Sequence, residues 1–266
     1  MDTLTPVEDE ATSADRARRA APITTPKTES RGTPIEQTVL VFQGGGALGA
    51  CQAGVYQALT EAGIEPDWVI GTSIGAINGT LIVGNKPGQR LARLQEFWGR
   101  LGHRDLFDQI WSPVFFGAAF ANLSTMMQGV AGFFQVNPHA PWGFQMPVGI
   151  ERAAFYSTDP LKRTLAELID FKHLNSKTTR LTVGAVNVRT GEMRYFDTRD
   201  MVLGPEHAMA SGALPPGFPA VRVDGEPYWD GGLYSNTPVE VVLDDKPRRS
   251  SLIFSVNMCQ PHGSEP

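Results

Sequence analysis

The stretch that most constrains the fold of this chain is residues 69–76, which read Val-Ile-Gly-Thr-Ser-Ile-Gly-Ala. The β-branched residues Val69 and Ile70 predict a buried strand, and residues 74–83 predict the helix that follows it. Ser73 falls at the corner between them, with Gly71 and Gly75 two positions away on either side. A tightly bent corner leaves no room for flanking Cβ atoms, and a helix N-terminus favours a developing alkoxide. The pattern predicts either a nucleophile elbow, with Ser73 supported by Gly71 and Gly75, or a plain turn in which Ser73 is only an N-cap.

A second glycine-rich corner lies one strand–helix unit earlier. Residues 38–43 form an apolar run that predicts a buried parallel strand, and Gly44, Gly45 and Gly46 follow it directly. Three successive glycines leave backbone N–H groups uncovered by side chains, and such groups bind an anion when they point into one concavity. One interpretation is therefore an oxyanion hole formed by these three glycines, which would hold the negative oxygen of a tetrahedral intermediate.

The same loop also fits a dinucleotide-binding pattern. Gly44, Gly46 and Gly49 have the G-x-G-x-x-G spacing after a predicted strand. That kind of site expects an acidic residue at the end of the next strand, but the turn that contains Ser73 stands there instead. An oxyanion hole also explains why the next corner carries a serine. We therefore favour it over the dinucleotide site and over a purely structural turn.

A strand-end aspartate is the third feature. Asp230 follows the stretch 227–229, and Gly231 and Gly232 come directly after it. The two glycines leave the carboxylate uncovered and let a partner approach closely, so we assign them a supporting role at the site. The alternative is an Asx-type turn, because Asp-Gly pairs are common in turns.

A nucleophilic serine needs a base, which is most often a histidine. The histidine that follows Asp230 in sequence is His262, which lies in a polar terminal stretch, and His207 opens a predicted helix of small residues at 207–216. Neither position suits a catalytic triad. We therefore expect a dyad in which Asp230 takes the proton of Ser73 directly.

Four motifs in this order resemble those of the patatin-like phospholipases. They are residues 44–49 (Gly-Gly-Gly-Ala-Leu-Gly), 71–75 (Gly-Thr-Ser-Ile-Gly), 210–215 (Ala-Ser-Gly-Ala-Leu-Pro) and 230–232 (Asp-Gly-Gly). Each motif is modest alone, whereas the ordered set is specific and covers roughly residues 38–258. The resemblance implies a three-layer α/β/α fold with a mainly parallel central sheet. It also implies a Ser–Asp dyad and hydrolysis of lipid esters, without a metal or an organic cofactor.

Two departures from the family pattern bear on this resemblance. Leu48 stands where many relatives carry Arg or Lys, which puts a preference for anionic phospholipids in question. The chain also ends soon after the predicted strand at 251–257, whereas relatives commonly continue with further helices, and a shortened form is one interpretation of this difference. A non-catalytic module that binds acyl lipids and has lost turnover therefore remains an alternative.

Composition divides the chain into a tail, a domain and an insertion. Residues 1–36 are rich in Thr, Pro, Ala, Glu and Arg and predict a disordered tail, since they hold few large apolar side chains. Residues 37–260 predict the acyl hydrolase domain. Within it, residues 109–150 contain no Asp, Glu, Lys or Arg but many aromatic and Met side chains. This insertion predicts either a lid or acyl-chain wall that makes transient contact with a lipid surface, or plain packing against the core.

Charge and cysteine content exclude other classes of protein. The formal net charge of -5 argues against a nucleic-acid partner, which would require a basic face. Cys51 and Cys259 show no CxxC spacing, so we expect no disulfide scaffold and no zinc site, and we expect Cys51 to be buried in a helix. The acidic start lacks the apolar core of a secretory signal. We therefore expect a cytoplasmic protein that acts on a lipid ester and associates with membranes only peripherally.

Overall fold

The computed structural model of the protein describes residues 34–102, 129–130, 132–138, 140 and 149–258. The compact unit begins at Ile35. The predicted tail, residues 1–36, lies outside the described residues except for its last three positions, and most of the predicted insertion, residues 109–150, lies outside them as well.

The elements alternate between strand and helix through the first half of the chain. In chain order they are β1 (Gln37–Phe42), α1 (Ala50–Glu61), β2 (Trp68–Thr72), α2 (Ile74–Val83), α3 (Pro87–Gly102), β3 (Gln135–Val136), β4 (Tyr156–Ser157), α4 (Asp159–Leu168), α5 (Phe171–Leu174), β5 (Arg180–Asn187), β6 (Met193–Asp197), α6 (Pro205–Ser211), β7 (Val221–Val223), β8 (Glu226–Asp230), α7 (Glu240–Leu243) and β9 (Ser251–Val256). Short 3₁₀ turns at Gly46–Gly49 and Gly231–Leu233 follow β1 and β8.

The central sheet is mixed, with a parallel centre. Its strand order is β7-β8-β5-β2-β1-β9, and β6 pairs with the other edge of β5. Strands β9, β1, β2 and β5 are parallel, whereas β6 and β8 run antiparallel to β5. The parallel strands β1 and β2 are buried on both faces, which explains their nearly continuous apolar sequence.

Side chains along β1 alternate between two layers of helix. Leu40 and Phe42 belong to the main core, which includes the buried residues of α2. Val39 and Val41 belong to a smaller cluster on the opposite face, into which Val241 of α7 packs. Helices therefore cover both faces of the sheet, and the fold is the expected three-layer α/β/α arrangement.

One edge of β5 is shared by two strands that meet end to end. Strand β2 pairs with the first half of β5, up to Thr72 opposite Gly184. Strand β8 runs the other way along the second half, and its last residue, Asp230, pairs with Ala185. Since Gly184 and Ala185 are consecutive, the carboxyl ends of β2 and β8 abut at this point.

Helix α1 corrects one expectation. Cys51 is an exposed free thiol, whereas we expected it to be buried. The buried side chains of this helix are Gln52 and Tyr56, four positions apart on one face. Cys51 lies next to that face rather than on it. Among the described helices, none is long and apolar enough to span a membrane.

Candidate active site

Ser73 lies at the corner between β2 and α2 with a φ of 57°, a conformation that non-glycine residues rarely adopt. The flanking glycines make this corner sterically feasible. A Cβ on Gly71 would lie 2.3 Å from the carbonyl oxygen of Gly75, and a Cβ on Gly75 would lie 2.5 Å from that of Phe42. The Gly-x-Ser-x-Gly spacing therefore has a direct steric cause, and the corner has the geometry of a nucleophile elbow.

The hydroxyl of Ser73 donates a hydrogen bond to Asp230. The distance from Ser73 Oγ to Asp230 Oδ2 is 2.6 Å. The second carboxylate oxygen, Oδ1, accepts from the N–H of Gly232 at 2.7 Å. The backbone N–H of Asp230 donates to the carbonyl oxygen of Ala213 at 3.0 Å, which anchors the end of β8 to the segment after α6. The carboxylate is thus fixed on both oxygens, with one of them directed at the serine.

Burial sets the acidity of this carboxyl group. Asp230 is only 2% exposed. Loss of solvent raises the pKa of Asp230 to about 6, although the hydrogen bonds from Ser73 and Gly232 pull it in the other direction. At neutral pH the group is mostly ionised, yet it is far more basic than an exposed aspartate. A pKa in this range suits a general base.

The two glycines after Asp230 allow tight packing. A Cβ on Gly231 would lie 2.3 Å from the carbonyl oxygen of Gly184, and one on Gly232 would lie 3.0 Å from Asp230 Oδ1. The Asp-Gly-Gly sequence is therefore required by the close approach of this loop to β5 and to the carboxylate itself.

The glycine loop after β1 packs against the elbow. A Cβ on Gly44 would lie 3.0 Å from Ser73 Cβ. The N–H of Gly44 donates to the backbone oxygen of Asn236 at 3.0 Å, and Asn236 Nδ2 donates to the Gly44 oxygen at 3.2 Å. The N–H of Gly44 is thus engaged. Within the described residues no acceptor is found for the N–H groups of Gly45 and Gly46, so of the three predicted oxyanion donors these two are not engaged there.

Sequence reasoning gave no role to two residues that the structure brings to the site. Asn236 holds both backbone groups of Gly44, as described above. Ser211, at the end of α6, is fully buried and accepts a hydrogen bond from the backbone N–H of Ser73 at 2.9 Å. The small-residue motif at 210–215 pointed to Ser211 without indicating its function. None of the four sequence motifs includes Asn236 or points to it.

Of the two histidines considered as a base, the structure describes His207 alone. His207 lies in α6, is 4% exposed, and its Nδ1 accepts from the N–H of Gly204 at 2.9 Å. Burial lowers the pKa of His207 below its ordinary value. His262 lies outside the described residues. In the described part of the chain, no group of three or more His, Cys, Asp or Glu side chains could hold a metal ion.

Sequence comparison shows which known proteins the chain resembles. The family model described as patatin-like phospholipase matches residues 40–243. A segment of 64 residues is 48% identical to the lysophospholipase nte1 of Aspergillus terreus and covers 24% of this chain and 4% of that protein. A segment of 106 residues is 36% identical to an uncharacterized NTE family protein of Mycobacterium tuberculosis, over 40% of this chain and 18% of that protein.

Two further similarities concern a mammalian protein and a solved structure. A segment of 61 residues is 41% identical to the patatin-like phospholipase domain-containing protein 6 of Mus musculus, over 23% of this chain and 4% of that protein. The chain thus spans no more than 18% of the length of these three curated relatives. The crystal structure of VipD from Legionella pneumophila aligns with a TM-score of 0.45 and 18% sequence identity, over 82% of this chain and 49% of that chain.

Proposed function

Because the chain belongs to the patatin-like phospholipase family, we propose that it is a serine acyl hydrolase that cleaves carboxylic ester bonds of lipids. The observation that carries this proposal is the 2.6 Å hydrogen bond from Ser73 Oγ to Asp230 Oδ2. A hydroxyl at a strained corner, bonded to a buried carboxylate of raised pKa, is the arrangement that nucleophilic catalysis requires.

Acylation begins when Ser73 Oγ attacks the ester carbonyl carbon and its proton moves to Asp230 Oδ2. The carbonyl oxygen becomes an oxyanion, which the N–H groups of Gly45 and Gly46 stabilise by roughly 3–4 kcal/mol per effective donor. Collapse of this intermediate breaks the bond to the leaving alcohol oxygen, which takes the proton from Asp230.

Deacylation repeats the same steps with water as the nucleophile. Asp230 accepts a proton from the water molecule that attacks the acyl-enzyme, and Ser73 regains a proton as the carboxylic acid leaves. Both half-reactions use the same donor, acceptor and oxyanion position, so the dyad needs no third residue in this scheme.

Exposed apolar side chains on the site loops support a lipid as the substrate. Leu48 is 56% exposed on the turn after the glycine loop, Leu214 is 48% exposed just after Ala213, and Leu233 and Tyr234 are 52% and 70% exposed just after Asp230 and its glycines. Exposed apolar side chains that follow the site motifs in sequence favour an acyl group over a polar ester. Contact of residues 109–150 with a lipid surface stays a prediction, since most of them lie outside the described residues.

A release assay tests the proposal. Wild-type protein and a Ser73→Ala variant are incubated with a panel of phospholipid, lysophospholipid, neutral glyceride, storage polyester and simple p-nitrophenyl esters, and free acid is measured. We expect release from at least one lipid class that the variant does not support. Binding of acyl lipid without release would favour the non-catalytic module, and equal release by the variant would remove Ser73 from the mechanism.

A further inference from the structure

The hydroxyl of Ser211 forms a bridge between the proposed nucleophile and the central strand. It accepts the backbone N–H of Ser73 at 2.9 Å and donates to the carbonyl oxygen of Gly184 at 2.6 Å. Ser211 itself is fully buried. A hydroxyl is well suited to this place because it donates and accepts at once.

The backbone of Ser73 needs such a restraint. A non-glycine residue in this region of φ and ψ is strained, and it persists only where its surroundings hold it. The carbonyl oxygen of Ser73 accepts from the N–H groups of Ala76 and Ile77 at 3.0 and 3.2 Å, as the first turn of α2 requires. The backbone N–H of Ser73, on the other side of the residue, donates to the hydroxyl of Ser211. The bond to Ser211 holds the peptide plane before Ser73, and the bonds from α2 hold the plane after it. Together they restrict both backbone torsions of Ser73 and therefore the direction in which its side chain leaves the corner.

Gly184 is the anchor point because of its position in the sheet. It pairs with Thr72, the last residue of β2, and its neighbour Ala185 pairs with Asp230, the last residue of β8. The bridge therefore ties the nucleophile to the place on β5 where the strands that carry the two dyad residues meet. A shift of Ser73 relative to this point changes its distance to Asp230 directly.

We infer that Ser211 is a positioning residue, which holds Ser73 in its strained conformation and keeps Oγ within hydrogen-bonding distance of Asp230. The inference rests on the proposed function. It also implies that the N–H of Ser73 itself does not serve the oxyanion, since Ser211 occupies it. Ser211 does not touch the substrate, so its loss affects the chemical step and leaves substrate binding nearly unchanged.

The test compares Ser211→Ala with Thr198→Val. Thr198 is 1% exposed and its hydroxyl accepts the backbone N–H of Leu181 at 2.9 Å, so the control removes a similar buried bond near the start of β5. With p-nitrophenyl butyrate as substrate, we expect Ser211→Ala to lower kcat on the order of 10-fold to 100-fold while KM changes less than about 3-fold. Thr198→Val should lower the melting temperature to a similar extent, with kcat within about 2-fold of wild type.

A second readout and a second variant keep the inference open to refutation. The rate of covalent labelling by a fluorophosphonate should fall in Ser211→Ala in proportion to kcat. If that variant does not fold, Ser211→Cys keeps a side chain that can donate and accept, though through longer, weaker hydrogen bonds, and we expect an intermediate loss of kcat. If Ser211→Ala loses no more kcat than Thr198→Val does, the inference about Ser211 is wrong. Turnover by the wild-type protein would still support the proposed hydrolase in that case. Wild-type protein without turnover or labelling would instead overturn the proposed function.

Discussion

Ser73 and Asp230 are 157 residues apart in sequence, yet Ser73 Oγ and Asp230 Oδ2 lie 2.6 Å apart. The contact arises because β2 and β8 run in opposite directions along one edge of β5 and end at consecutive residues of that strand. A parallel strand that continued along β5 would occupy the space of β8. The mixed pairing of the sheet is therefore what brings the hydroxyl and the carboxylate together.

The pH dependence of turnover follows from the carboxyl group. Burial raises the pKa of Asp230 to about 6, and only the ionised form can accept the proton of Ser73. We expect kcat/KM to be level above about pH 7 and to fall about tenfold per pH unit well below the pKa. The measurement is a pH profile of p-nitrophenyl ester hydrolysis, with protein integrity checked at each pH. If kcat/KM instead begins to fall only near the pKa of an exposed aspartate, burial does not raise the pKa of Asp230.

The raised pKa of Asp230 also predicts how stability depends on pH. Protonation of this carboxyl group should stabilise the fold, although it should lower activity. The pKa of Asp230 is about 6 in the folded protein against an ordinary value of 3.8, so the folded state binds the proton more tightly and ionisation disfavours folding. The penalty is present above the folded pKa and disappears as the pH falls toward the unfolded value. Asp230→Asn should therefore raise the free energy of unfolding at about pH 8, by roughly 3 kcal/mol at most, while it removes most turnover.

Urea denaturation of both proteins at about pH 8 and about pH 4 measures this effect. The gain from Asp230→Asn should be present at the higher pH and absent at the lower one. An Asn variant that is less stable than wild type at the higher pH would show that the carboxylate stabilises the fold instead.

The elbow glycines should not tolerate a methyl group. In Gly75→Ala the new Cβ would lie 2.5 Å from the carbonyl oxygen of Phe42 and 2.9 Å from that of Gln43, neither of which is a flexible side chain. We expect a loss of about 1–3 kcal/mol or more of stability and loss of activity. Gly54→Ala is the matched control, since Gly54 is exposed in α1 and a Cβ there would have no atom within 4 Å. There the change should stabilise the helix by roughly 0.5–1 kcal/mol and leave activity unaltered. Equal effects at both positions, measured by thermal unfolding, would refute the steric argument.

The absence of a cation at position 48 should affect head-group preference. Leu48 is 56% exposed on the turn of the glycine loop, so Leu48→Arg can keep the fold and add a positive charge beside the site. We expect the rate on anionic lipids relative to zwitterionic ones to rise about fivefold at low salt, because an exposed charge pair contributes about 1 kcal/mol, and the gain should decline as salt is added. Leu48→Gln provides the uncharged control. Indistinguishable ratios for the Arg and Gln variants in mixed micelles would contradict this prediction.

The parts of the site that depend on local geometry could be predicted from sequence. The Gly-x-Ser-x-Gly spacing around Ser73 and the glycines after Asp230 are required by close contacts within their own corners or with the adjacent strand. Their order along the chain then pointed to the family and to the three-layer fold. The lack of a suitable histidine base and the family resemblance together predict the pairing of Ser73 with Asp230.

The remaining residues depend on the register of strands that are distant in sequence. Ser211 bonds to the backbone of Ser73 and Gly184, and Asn236 bonds to the backbone of Gly44, so in neither case does the sequence show a complementary side chain that would identify the contact. The hydrogen bond from the Gly44 N–H to the backbone oxygen of Asn236 cannot be predicted from the sequence for the same reason. Cys51 was misjudged because α1 buries the polar Gln52, which obscures the apolar face in the sequence.

The most direct test of the central claim is covalent labelling of the intact chain with a fluorophosphonate, followed by mass measurement and peptide mapping. Folded wild-type protein should gain one adduct, on Ser73; the Ser73→Ala variant should gain none, and Asp230→Asn should react far more slowly. A folded wild-type chain that stays unmodified, or that carries its adduct at another residue, would contradict the assignment of Ser73 as a nucleophile activated by Asp230.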